Sequence, residues 1–96
     1  MIDERIVAAA VERLAALAPA HWPRATAEIQ EGGAFLLLSV QLASSDQVHI
    51  SPATRDSIVR TLNIIIPRFP DQTLGSWLVV VMSGSDVKES VLPNGA

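Results

Sequence analysis

Cysteine is absent from this 96-residue chain. Disulfide staples, thiolate zinc sites and cysteine nucleophiles are thereby excluded together, and all stability must come from packing and hydrogen bonds. Charge is scarce as well, at 18% of residues against roughly a quarter in ordinary soluble domains. The seven basic and ten acidic residues form no basic run, and the net charge of −3 opposes long-range attraction to phosphate backbones. Nonspecific nucleic-acid binding is not expected. No apolar run exceeds six residues, far short of the ~20 that a membrane-spanning helix needs. Asp3, Glu4, Glu12 and Arg13 interrupt the alanine-rich start, which therefore does not read as a signal peptide. A cytoplasmic location is the expectation, and six arginines to one lysine with abundant alanine suggest a GC-rich bacterial coding sequence.

The patterns GxxxxGK[ST], GxGxxG and GxSxG are also missing, so no phosphate loop, dinucleotide turn or nucleophile elbow is signalled. No cofactor and no metal are expected. What the chain has in excess is apolar side chain: 49% of residues are hydrophobic and the mean hydropathy is +0.33. A domain this short buries only about 60 to 65% of its unfolded surface, so apolar surface is left over. Self-association is the simplest way to hide it.

The hydrophobic period then divides the chain. Apolar residues recur at helical spacing from Ile2 to Ala18, at strand spacing from Ala25 to Leu42, at helical spacing from Ile58 to Ile66, and without interruption from Trp77 to Met82. This reads as helix, strand, strand, helix, strand. Asp3 suits the N-cap of the first helix, whose inner stripe is Ile6, Val7, Ala10, Val11, Leu14, Leu17 and Ala18; Pro19 ends it. Gly32 and Gly33 supply the positive φ of a hairpin, which makes the first two strands antiparallel. Ser51 followed by Pro52 marks the start of the second helix, whose stripe is Ile58, Val59, Leu62, Ile65 and Ile66. One helix between the second and third strands makes that pair parallel.

The expected fold is therefore α+β: a two-layer αββαβ sandwich with two helices on one face of a three-stranded mixed sheet, in order 1-2-3 if the polar first strand is the edge, with 2-1-3 as the alternative. Residues 1–86 form the single domain, and residues 87–96 are expected to be a flexible tail. The helices cover the side of Leu36, Leu38 and Val40, and nothing remains to cover the other. That open side carries Phe35 and Leu37 with one alternate set of the third strand, either Trp77, Val79 and Val81 or Leu78, Val80 and Met82. The interface residues selected are Phe35, Leu37, Trp77, Val79 and Val81, with Ile64 as a separate apolar contact opposite the core stripe of its helix. The competing cover is the chain's own Val87, Val91 and Leu92.

Candidate chemistry is thin. His21 and His49 are the only imidazoles; His49, with Asp46 and Ser51 nearby, is the best local grouping and could serve a ligand or anion beside the helix start. Ser51 acting only as a cap is the simpler explanation. Trp22 and Trp77 could stack on a base or ligand, though core filling accounts for such residues more often.

The element order from Asp3 to Met82 is similar to that of BolA-like and type II KH domains. That resemblance implies nucleic-acid binding, but the GxxG loop of KH domains is missing because no two glycines here are separated by two residues. The reading adopted is a small noncatalytic interaction or adaptor module that forms a homodimer through its open sheet face. The alternatives are a nucleic-acid-binding domain, favoured by a positive stripe from Arg24, Arg55, Arg60 and Arg68, and a small enzyme using His49.

Overall fold

Asp3 caps the first helix as its position predicts: its Oδ1 accepts the backbone N–H groups of Arg5 at 3.0 Å and Ile6 at 3.1 Å. The computed structural model describes residues 2–17, 24–41, 50–66 and 76–95, with Arg24 described by its backbone. Helix α1 runs Glu4–Leu17 and buries Ala10 and Leu14 completely. Ahead of it, the Ile2 N–H donates to the Gly33 carbonyl at 2.9 Å, tying the helix start to the hairpin.

Strand β1 (Arg24–Gln30) and strand β2 (Phe35–Gln41) pair antiparallel in unbroken register from Arg24↔Gln41 to Gln30↔Phe35. The connection is one 3₁₀ turn, Glu31–Gly33, in which Glu31, Gly32 and Gly33 all have positive φ. Three consecutive left-handed residues cost least where two of them lack a Cβ, which is why the glycine pair sits here.

Helix α2 (Pro52–Ile65) starts as the Ser-Pro signal requires. The Ser51 Oγ accepts the Thr54 N–H at 3.1 Å and proline occupies the first helical position. Ile58, Leu62 and Ile66 are buried, with Val59 and Ile65 packed beside them. Strand β3 (Trp77–Ser83) then lies parallel to β2, with Leu38 opposite Val79 and Val40 opposite Val81.

Two layers and the α+β class agree with expectation, but the sheet has four strands, not three, in order β1-β2-β3-β4. The added strand, β4 (Asp86–Val91), takes up residues 87–91 of the stretch assigned to the tail. It escapes a reading by alternation because of a bulge. The register with β3 steps from Val81↔Glu89 to Met82↔Val87, which leaves Lys88 extra and puts Val87 on the opposite face from Glu89 and Val91.

The core lies between the sheet and both helices. Leu36, Leu38, Trp77, Val79, Val81 and Val91 are all at 0% exposure. α1 packs over β1 and against α2, where the small side chains of Ala25 and Ala27 let the helix approach the sheet. Ser76, immediately before β3, is also buried, and its hydroxyl finds no hydrogen-bond partner.

Candidate interaction surface

Strand β3 is apolar at six successive positions, so its own pattern cannot say which side chains face the helices. Register with β2 decides. Because Leu36, Leu38 and Val40 are buried under the helices, their partners Trp77, Val79 and Val81 are buried there too. These three residues, selected above as interface, are therefore core: each is at 0% exposure and has no surface to offer a second chain. Phe35 and Leu37 stay on the open side.

The set that joins them is Leu78, Val80 and Met82. Leu37 is opposite Leu78, Met82 is opposite Val87 across the next pair, and all of these except exposed Val87 are half-buried. Directly opposed residues in a sheet have Cβ atoms about 5 Å apart, so these form one tract across β2, β3 and β4. Among the described residues nothing lies over it. Thr26 and Glu28 of β1 and Ser90 of β4 are exposed on the same side and frame it with polar groups, the usual rim of an interaction surface. The Gln41 Nε2 reaches across this side to the Gly84 carbonyl at 3.3 Å, holding the β3–β4 turn to the end of β2.

Of the tail residues expected to compete for this cover, Val91 is in the core on the helix side, while Val87 adds to the tract and is 57% exposed. Leu92 is half-buried. Ile64 is 85% exposed, in the helix layer and away from the open face. It lines a shallow groove of about 270 Å³ with Arg13, Thr61 and Ile65. It is a second patch, not part of the first.

Among the described residues a polar cluster binds β4 to the helix layer. The Glu89 Oε2 accepts the Ile50 N–H at 2.8 Å, its Oε1 meets the Arg55 Nη2 at 3.3 Å, and the Arg55 Nη1 donates to the Ser90 carbonyl at 2.9 Å. Pattern reading missed this cluster, since Ile50 and Arg55 lie more than thirty residues from Glu89 and Ser90 in sequence and only the β3–β4 pairing brings them together. Its chemistry is structural, with each group engaged by another part of the chain. It also removes Arg55 from the arginine stripe, of which Arg60 is exposed on α2, Arg24 is described by backbone only, and Arg68 lies outside the described residues.

His21, Trp22, Asp46 and His49 also lie outside the described residues. Ser51 is exposed, and its hydroxyl serves the cap: besides accepting from Thr54 N–H it donates to the Thr54 Oγ1 at 2.9 Å. Among the described residues no three His, Asp or Glu side chains gather as a metal site, and no helix is long and apolar enough to cross a membrane. The chain matches no family model, no curated protein and no solved structure.

Proposed function

We propose that this protein is a noncatalytic interaction module that self-associates through the back of its sheet, centred on Leu37, Leu78 and Val80. The observation that carries this reading is the apolar tract from Phe35 to Val87, which neither helix covers. The composition supports it, because a chain with 49% hydrophobic and 18% charged residues has more apolar surface than one small core can take. Burial of about 400 Å² of such surface on each partner is worth about 10 kcal/mol per side. Loss of rigid-body freedom and side-chain ordering cost about 4 to 15 kcal/mol, so a micromolar homodimer is within reach.

Two neighbouring leucines provide the test, since they sit on opposite faces of β2. Leu38→Ala removes a fully buried side chain and is expected to cost about 2 to 5 kcal/mol of stability without altering self-association of the folded protein. Leu37→Ser and Val80→Asp are expected to do the reverse, leaving the circular dichroism spectrum of the folded chain unchanged and halving the mass of the assembly in sedimentation equilibrium. A wild-type protein that stays monomeric throughout the micromolar range would sink the reading.

A further inference from the structure

The two edges of the sheet are not alike. β4 carries the devices that keep an edge from pairing with another chain: a bulge at Lys88 and three charged residues, Asp86, Lys88 and Glu89, among six. β1 lacks the bulge and carries two charged residues, Arg24 and Glu28, among seven. It contains no proline, no glycine and no register shift over its seven residues, and among the described residues it has a neighbour, β2, on one side only. Its helix-side residue Ile29 is 40% exposed, although Leu36, opposite it on β2, is at 0%.

We propose that β1 pairs antiparallel with β1 of a second copy about Ala27, joining two four-stranded sheets into one of eight strands. The residues of β1 favour that register over its neighbours. Centred on Ala27, the strands use all seven positions: Ile29 is set against the partner's Ala25, large against small, and Thr26 is set against the partner's Glu28, hydroxyl against carboxylate. By symmetry each pairing occurs twice. A centre at Glu28 would oppose two like carboxylates, which disfavours it. A centre at Thr26 would carry Ile29 and Gln30 past the start of the partner strand at Arg24. The pleat forbids the registers between, because they would set residues of opposite faces against each other.

This contact uses the edge and not the back of the sheet, so it stands independently of the self-association proposed above. With both contacts made, two eight-stranded sheets stack back to back. The assembly is then a tetramer of four times 10.3 kDa.

Thr26 supplies the test, because it is exposed and its partner in this register is charged. Sedimentation equilibrium is run on Val80→Asp, which disables the back face, and on the same protein carrying either Thr26→Glu or Thr26→Lys. V80D alone is expected to be a dimer of twice 10.3 kDa. Adding T26E opposes like charges twice per dimer and is expected to weaken association about tenfold, whereas T26K places an ammonium against the same carboxylate and keeps or tightens it. Circular dichroism of the T26E and T26K proteins establishes that the exposed site tolerates both side chains. A monomeric V80D, or equal association by T26E and T26K, overturns the edge pairing. If V80D keeps the two-chain mass of the wild type while the added T26E disperses it, the back-face reading fails and the edge pairing stands.

Discussion

The Trp77 indole Nε1 donates to the Asn63 Oδ1 at 3.0 Å, joining the start of β3 to the outer half of α2. The same amide group faces two ways, since the Asn63 Nδ2 donates to the Pro93 carbonyl at 3.0 Å just beyond β4. One side chain of α2 therefore satisfies a buried tryptophan and holds the chain that follows the last strand.

Replacement of Asn63 should separate those two roles. Asn63→Leu leaves the N–H of a fully buried Trp77 without an acceptor and is expected to cost about 1 to 3 kcal/mol in urea unfolding. Asn63→Asp retains the acceptor and loses only the donor to Pro93, so its loss of stability should be smaller. The Trp77 indole N–H should exchange faster with solvent in the leucine variant and not in the aspartate one.

Glu89 gives the second prediction. Its carboxylate takes the Ile50 N–H at 2.8 Å and pairs with Arg55, and the Arg55 and Glu89 side chains are each 23% exposed. An ion pair that accessible contributes little by itself, while the backbone bond it accepts is charge-assisted. Glu89→Ala should therefore cost about 1 to 3 kcal/mol, and Glu89→Gln, whose amide oxygen still accepts from Ile50, should cost distinctly less. Equal losses in urea unfolding would show that the ion pair, not the Ile50 bond, holds β4.

The third concerns Ser76. Its hydroxyl is buried without a partner, so burial has cost it the hydrogen bonds of water with no return. Ser76→Ala is expected to be neutral or to stabilise by about 1 kcal/mol, read as a raised thermal midpoint. A marked loss would mean that the oxygen is bonded in solution.

The amino-acid sequence alone determined whatever depends on neighbours along the chain. Capping by Asp3 and Ser51, the glycine turn, the stripe of α2, the α1 stripe at Ile6, Val7, Ala10, Leu14 and Leu17, and the alternating faces of β1 and β2 all follow from local spacing and local hydrogen bonding, and the structure reproduces them; Ala18 lies outside the described residues. Only tertiary pairing decided the rest. Six apolar residues in succession give β3 no phase, so its alignment with β2 had to choose Trp77, Val79 and Val81 for the core and leave Leu78, Val80 and Met82 outside. A bulge at Lys88 breaks the alternation of β4, so that strand becomes visible only when it lies against β3. Period reports which side chains share a face, but which of two faces is buried is set by the strand next to it.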